Sequence, residues 1–206
     1  MHVLGFALKI IGLTGGIASG KSTASRYLAT RGAELIDADV LGHRAYDPGT
    51  DAFAAVVAEF GAEIVAQDGQ IDRRALGGAV FGKPDRLKAL TDIVWPEIRR
   101  LAELKIAEIA ALNSQAIVVL EAAVLFEAGW EDAVDEIWAV LIEPSLAIER
   151  AMARDGVDAQ AVRKRLDAQL SNDARRARAH VCIDNSADEA ALNTQLETEW
   201  SRVTRG

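Results

Sequence analysis

The sequence has almost no cysteine and no long apolar run. Its one cysteine among 206 residues, Cys182, excludes a disulfide framework within the chain and a cysteine-based zinc cluster. In the apolar run HVCID this cysteine is expected to be a small buried strand residue. No run reaches about 18 apolar residues, the length of a membrane span, and the apolar N-terminus lacks the basic segment of a signal peptide. We therefore expect a soluble, cytoplasmic protein without a membrane partner.

Positive charge is also scarce. Acidic residues outnumber basic ones 31 to 23, which gives a formal net charge of −8. This balance disfavours binding of nucleic acid through bulk charge, although it leaves room for a local basic site. His43 and His180 are isolated and lack the spacing of metal ligands, so surface or capping roles are expected for both.

Five short apolar runs alternate with helix-like segments. They predict strands at 8–13, 33–37, 116–121, 136–142 and 180–184. Nearly continuous apolar strands separated by helices are typical of a parallel sheet covered on both faces. The predicted fold is therefore α/β, with a five-stranded parallel sheet and helices on both faces. Ligands of such sheets bind at the carboxyl ends of the strands.

Two segments interrupt the alternation. Residues 50–113 predict an inserted helical lobe, whose first helix is bracketed by Thr50 as cap and Gly61 as stop. Residues 150–178 concentrate arginine within an acidic chain and are interpreted as a helical lid. We predict a single domain, 1–206, with its core at 8–49, 114–149 and 179–206.

The stretch GGIASGKST, residues 15–23, lies between a predicted strand and a predicted helix. It fits the pattern GxxxxGK[ST], in which glycines let backbone N–H groups surround an anion at a helix start. A flexible turn with a chance match is the alternative. The pattern predicts a nucleotide phosphate loop, with Lys21 on the outer phosphates and the Ser22 hydroxyl on Mg²⁺. The predicted binding residues are Gly15, Gly16, Ile17, Ala18, Ser19, Gly20, Lys21, Ser22 and Thr23.

Acidic residues follow two of the predicted strands. Asp37 and Asp39 end the second strand, where strand alternation would place both on one face. One would accept a proton from the phosphate acceptor and the other would orient it or bind metal-bound water, unless both only cap the next helix. Glu121 ends the run IVVLE and is either a magnesium-side carboxylate or a solvated side chain. The candidate metal ligands are Ser22, Asp37 and Glu121.

The arginine-rich segment suggests phosphoryl transfer. Arg150 and Arg154 lie four residues apart, on one face of a helix, and are the first candidates to neutralise the transferring charge. None of the four asparagines begins the NKxD string of a guanine-nucleotide switch. A short chain with a lobe and a lid favours a small-molecule kinase. A kinase of nucleosides or nucleotides and a non-catalytic ATP-binding module are the alternatives.

The motifs together resemble the dephospho-CoA kinase family from residue 9 to about 196. The resemblance rests on the segments IGLTGGIASGKST, GAELIDADVLGHRAYDPGT, FGAEIVAQDGQIDRRALGGAVF, VLFEAGW, MARDG and CIDNS. It implies a P-loop kinase fold and transfer of the γ-phosphate of ATP, with Mg²⁺, to the ribose 3′-hydroxyl of dephospho-CoA, the last step of CoA synthesis. A monomer or weak oligomer is expected.

The resemblance also implies roles for single residues. Asp39 matches the catalytic base, alongside Lys21 and Arg150, and Asn185 falls at a nucleotide contact. The 50–113 lobe matches the CoA-substrate side. Trp95-Pro96 replaces the usual His-Pro of bacterial members, and EAAVLFE replaces D-x-P-L-L-F-E. In these details the chain looks closer to the kinase half of bifunctional CoA synthase. Trp95 is expected either in core packing or stacked on the substrate's adenine.

Overall fold

The computed structural model describes residues 8–205. Its strands are β1 (Lys9–Gly15), β2 (Glu34–Asp37), β3 (Ile117–Glu121), β4 (Glu136–Leu141) and β5 (Val181–Asp184). Its α-helices are α1 (Lys21–Thr30), α2 (Ala38–Arg44), α3 (Asp51–Phe60), α4 (Arg73–Val80), α5 (Pro84–Leu112), α6 (Pro144–Asp155), α7 (Ala159–Asp167), α8 (Asn172–Arg178) and α9 (Glu189–Arg205). All five predicted strands are present.

The strands form one sheet in the order β2-β3-β1-β4-β5. Strand β1 pairs in parallel with β3 and with β4, and β4 pairs in parallel with β5. The predicted five-stranded parallel sheet is confirmed. Because the strands run in one direction, the ends of β1, β3, β4 and β5 come out at one edge of the sheet, where ligands of such folds bind.

Helices cover both faces of the sheet, as its central strands require. Every residue of β4 is buried, so side chains pointing to either face are shielded from water. On one face, Leu28 of α1 and Leu196 and Trp200 of α9 pack in a cluster with Ile11 and Trp138. Burial of each such large apolar side chain contributes roughly 1.5–3 kcal/mol. None of the helices within residues 8–205 is long and apolar enough to cross a membrane.

The chain divides into two compact units. One comprises the residues up to Ile36 and from Glu108 onward, and it holds most of the sheet, α1 and α6 to α9. The other comprises Asp37–Ala107 and is helical. The helical unit thus begins earlier than the predicted lobe boundary at residue 50. The roles assigned to the 50–113 lobe and the 150–178 lid stay predictions.

Local signals determine the helix ends in the helical unit. The Thr50 hydroxyl accepts a hydrogen bond from the Phe53 N–H at 3.0 Å, and Gly61 ends α3 with φ 92°, as predicted. Helix α5 continues through Pro96. Proline inside a helix costs about 3 kcal/mol. The continuous face formed by the buried residues Val94, Ile98 and Ala102 offsets that cost.

The prediction of a buried Cys182 is wrong, because its side chain is exposed. Strand β5 is the edge strand next to β4, and in it only Ile183 is fully buried. Successive side chains of a strand point to opposite faces, so the burial of Ile183 leaves Cys182 on the other face. The apolar run HVCID identified the strand but not which of its faces is covered.

Candidate active site

The segment from β1 to α1 is the strand–loop–helix unit that the sequence predicts. Strand β1 ends at Gly15, α1 begins at Lys21, and Gly20 is the N-cap with φ 95°. Ala18 has φ 54°, the only positive φ of a non-glycine residue within 8–205. No side chain caps α1, and the helix dipole favours negative charge at its first turn.

Two loop glycines are required by close contacts. A Cβ on Gly15 would lie 2.5 Å from both the Val140 carbonyl oxygen and the Ser19 hydroxyl. A Cβ on Gly20 would lie 2.1 Å from Asn185 Nδ2, which donates a hydrogen bond to the Ser19 carbonyl at 2.8 Å. The buried Asn185, predicted to contact nucleotide, therefore also fixes the shape of the loop from the end of β5.

Lys21 and Ser22 lie where the phosphate-loop pattern places them. The Lys21 ammonium donates to the Gly15 carbonyl at 3.2 Å, so it turns back over the start of the loop. The Ser22 hydroxyl donates to Glu121 Oε1 at 3.1 Å. Ser22 and Glu121, two of the three predicted metal ligands, are thus in direct contact at the N-terminus of α1. A hydroxyl beside a carboxylate is a donor set that suits Mg²⁺ bound to a nucleotide.

An open cleft runs along the loop. Its volume is about 500 Å³, and Lys21, Arg26, Arg150, Arg154 and Asn185 line it together with the loop backbone. Arg150 donates to the Ala187 carbonyl at 3.4 Å. Arg154 forms an ion pair with Asp155 at 2.7 Å, and its hydrogen bond holds the pKa of the Asp155 carboxyl below its ordinary value. The structure therefore brings both predicted arginines to the same cleft as the loop.

Sequence reasoning missed two residues that contact the loop from its other side. Gln169 Oε1 accepts a hydrogen bond from the Ile17 N–H at 2.9 Å. The guanidinium of Arg175, in α8, lies beside Gly16: a Cβ on that glycine would be 3.5 Å from Arg175 Nη1. The arginine-rich composition of the segment was the available signal, but it does not reveal which arginine is buried.

The two aspartates after β2 differ from each other in structure. Asp37 is the N-cap of α2, and its Oδ1 accepts hydrogen bonds from the Asp39 N–H at 2.8 Å and the Val40 N–H at 3.1 Å. Asp39 lies in the first turn of α2 and is exposed, so strand alternation does not relate the two residues. Asp37 therefore caps the next helix, which the sequence had left open as an alternative to a catalytic role. Within residues 8–205, no group of three or more His, Cys, Asp or Glu side chains is arranged to hold a metal ion.

The helical unit contains a cavity of its own. Its volume is about 420 Å³, and its lining includes His43, Tyr46, Arg73 and Arg74. Arg73 donates to the His43 carbonyl at 3.1 Å, which ties the start of α4 to α2. The Asp72 carboxylate caps α4 by accepting from the Arg74 and Ala75 N–H groups. Arg73 and Arg74 share this cavity with Asp47, Asp72 and the Tyr46 ring. Trp95 is half-buried in the same unit.

Comparison with known proteins agrees with this geometry. A family model described as dephospho-CoA kinase matches residues 9–191. A protein named dephospho-CoA kinase from Geobacter sulfurreducens is 45% identical over 195 residues, which is 95% of this chain and 98% of that protein. The structure of TT1252 from Thermus thermophilus has a TM-score of 0.78 and 34% identity, covering 95% of this chain and 98% of that one.

A more distant structure supports the fold. The dephospho-CoA kinase from Campylobacter jejuni has a TM-score of 0.64 at 22% identity, covering 96% of this chain and 98% of that one. The predicted P-loop kinase fold is confirmed. The finer likeness to the kinase half of bifunctional CoA synthase stays a prediction. Because the family model spans most of the sequence and a named relative matches nearly end to end, the chain belongs to the dephospho-CoA kinase family.

Proposed function

We propose that this protein transfers the γ-phosphate of ATP to the ribose 3′-hydroxyl of dephospho-CoA, giving CoA and ADP. The observation that carries the proposal is a phosphate loop of the required geometry in a chain of this family. The loop N–H groups and Lys21 bind the triphosphate, and Arg150 and Arg154 add positive charge along the cleft. Phosphoryl transfer depends mainly on such positioning and charge stabilisation.

Asp39 is the proposed base. It follows the carboxyl end of β2, where parallel sheets present their catalytic groups. In the reaction the ribose O–H proton passes to the Asp39 carboxylate, the oxygen forms a bond to the γ-phosphorus, and the bond to the ADP oxygen breaks. Asp37, which already caps α2, keeps that turn in place.

Ser22 and Glu121 are the residues that would hold Mg²⁺, with Asp37 as the remaining predicted ligand. The Ser22 hydroxyl and the Glu121 carboxylate, 3.1 Å apart, are oxygen donors of the kind that Mg²⁺ prefers. Held by these side chains, Mg²⁺ would neutralise part of the negative charge of the nucleotide phosphates. The cavity of the helical unit, with Arg73 and Arg74, is the proposed site for the anionic part of the acceptor.

Replacing each aspartate by asparagine separates the base from the cap. We expect Asp39→Asn to lower turnover by about 10²–10⁴-fold, the usual contribution of a positioned base, with ATP affinity largely unchanged. Asp37→Asn retains a good N-cap, since asparagine caps helices as well as aspartate does, and removes only the charge. A steady-state assay of ADP release with dephospho-CoA measures both variants.

An exposed aspartate of α5 provides the control for these two variants. Asp92→Asn removes a carboxylate that is paired with Lys88 on the exposed side of α5 and should leave turnover unchanged. Wild-type turnover by Asp39→Asn would show that another group is the base. Phosphorylation of AMP or nucleosides but not of dephospho-CoA by the wild-type protein would favour the nucleotide-kinase alternative instead.

A further inference from the structure

A turn in the phosphate loop holds an alanine in a conformation that alanine disfavours. The Ser19 N–H donates to the Gly16 carbonyl at 3.2 Å, which closes a four-residue turn over residues 16–19. The third residue of this turn, Ala18, has φ 54°. A positive φ at the third position favours glycine, because a Cβ there comes too close to the carbonyl oxygen that follows. Ala18 therefore keeps this conformation only if contacts around the turn hold it.

A side chain from a distant part of the chain contacts the middle of this turn. Gln169 Oε1 accepts a hydrogen bond from the Ile17 N–H at 2.9 Å, across 152 positions of the sequence. The same oxygen would lie 3.4 Å from a Cβ on Gly16. Because the Ile17 N–H is a donor, only the oxygen of the Gln169 amide can face it. The turn is thus bonded from outside at the residue that precedes Ala18.

Two hydrogen bonds fix the backbone at Gln169. Its own N–H donates to the Leu166 carbonyl at 3.0 Å, in the last turn of α7. The carbonyl of the next residue, Leu170, accepts from the side chain of Arg175, a buried residue of α8. Since the backbone is anchored on both sides, the Gln169 side chain can restrain the turn of the loop instead of moving with it.

We propose that Gln169 is a positioning residue for nucleotide binding, whose amide oxygen holds the turn at Ile17 and Ala18 in the shape that receives phosphates. The N–H groups of the loop surround an anion only while the backbone keeps this shape. If Ala18 relaxed to negative φ, the fraction of molecules able to bind nucleotide would fall, and the apparent affinity with it. Gln169 acts here through the loop and not by touching a phosphate. The inference rests on the proposed function only for the identity of the ligand, a nucleotide.

Nucleotide binding to Gln169→Met tests this role without any phosphate acceptor. Methionine is similar to glutamine in length but lacks the amide oxygen, and the position is half-buried, so the variant should fold. We expect the affinities for a non-hydrolysable MgATP analogue and for MgADP to fall equally, by about 5- to 10-fold, because a partly buried N–H loses its acceptor. Isothermal titration of the full chain gives both affinities.

Replacing Ala18 by glycine tests whether the effect passes through the turn. Glycine populates positive φ about as readily as negative φ, so the turn no longer needs to be held. In the Ala18→Gly background we therefore expect Gln169→Met to weaken both nucleotides by less than about 2-fold, whereas the effects of independent sites would add. This double-mutant cycle measures the coupling of Gln169 to Ala18.

Asp135→Ala is the matched control, because it also removes a side-chain acceptor from a backbone N–H. The Asp135 carboxylate accepts from the Ile10 N–H at 2.7 Å, and Ile10 lies at the other end of β1 from the loop. This variant should have a lower Tm than the wild-type protein and unchanged affinity for both nucleotides. Thermal melting and the same titrations measure the two quantities.

Three results would overturn the inference. Loss of affinity for the triphosphate alone would show that Gln169 bonds the terminal phosphate directly. A lowered Tm with unchanged affinities would assign Gln169 a purely structural role, and equal losses in the alanine and glycine backgrounds would show that the effect bypasses the turn. Turnover of dephospho-CoA is measured separately on the wild-type protein. If that turnover is absent while the cycle still shows the coupling, only the proposed function fails.

Discussion

Buried polar groups differ in their hydrogen bonding between two parts of the central sheet: the carboxyl edge, where its strands end, and the amino edge, where they begin. At the carboxyl edge, the hydroxyls of Thr14 and Ser19 and two nitrogens of Arg175 are buried without hydrogen-bond partners among the described residues. At the amino edge, the buried Glu136 is paired with Lys9 at 3.2 Å and with Arg202, and it accepts from the Trp138 indole at 3.2 Å.

The difference separates a part of the protein built for binding from one built for stability. An unpaired buried polar group costs about 1–3 kcal/mol, so the carboxyl edge retains groups that destabilise the protein unless a ligand satisfies them. The amino edge satisfies its acid fully and gains stability. Proteins commonly break local rules of this kind at functional sites.

The largest effect is expected at the carboxyl edge, from Gly15→Ala. Its Cβ would press on the backbone oxygen of Val140 at 2.5 Å, an atom fixed in the sheet. Overpacking of this kind costs roughly 1–3 kcal/mol. Because displacement of a site by about 1 Å can reduce rates about 10²-fold, we expect turnover to fall at least that far. Steady-state kinetics and thermal melting measure the two effects.

Gly77→Ala is the control for that substitution. Gly77 lies within α4, and a Cβ there would meet no atom within 4 Å. Alanine is favoured over glycine inside a helix by about 1 kcal/mol, so the variant should be as stable as wild type or more so, with unchanged turnover. Full activity in Gly15→Ala would show that the loop does not need its close approach to β4.

Sequence patterns predicted the features of the site that depend on local spacing and missed those that depend on tertiary packing. The loop, Lys21 and the contact of Ser22 with Glu121 depend on local spacing and on strand ends, so pattern reasoning located them. Strand alternation placed Asp39 on the same face as Asp37, but Asp39 lies in the first turn of α2, because the Asp37 cap begins that helix at Ala38. Burial of Arg175 and exposure of Cys182 depend on tertiary packing, which periodicity in so short a segment does not encode.

At the amino edge we expect a smaller effect, confined to stability. Glu136→Gln removes the charge that Lys9 and Arg202 share and should lower the free energy of unfolding by about 1.5–3 kcal/mol, the range of hydrogen bonds to charged groups. For a chain of this size that corresponds to a fall in Tm of about 2–4 °C per kcal/mol. Turnover should stay at the wild-type level, since Glu136 begins β4 and the loop lies at the other edge.

Glu199→Gln provides a matched control because it acts on the same arginine. Glu199 pairs with Arg202 at 2.7 Å on one face of α9, an i,i+3 pair whose arginine is half-exposed. Such pairs contribute about 0–1 kcal/mol. If Glu136→Gln and Glu199→Gln destabilised the protein equally, the buried, fully paired Glu136 would contribute no more stability than a surface ion pair does.

The smallest expected effect is a difference in acid sensitivity. Burial raises the pKa of the Glu136 carboxyl, but hydrogen bonds from Arg202 and Lys9 outweigh it and hold the pKa below its ordinary value. A folded-state pKa below that of the unfolded chain contributes stability above the unfolded value, about 4.3 for glutamate, and loses it as pH falls through the folded value. The wild-type protein should therefore lose more stability between about pH 5 and pH 3 than Glu136→Gln does, since glutamine does not titrate. Chemical denaturation of both proteins across this range measures the difference, and parallel curves would show that Glu136 is not tuned by its partners.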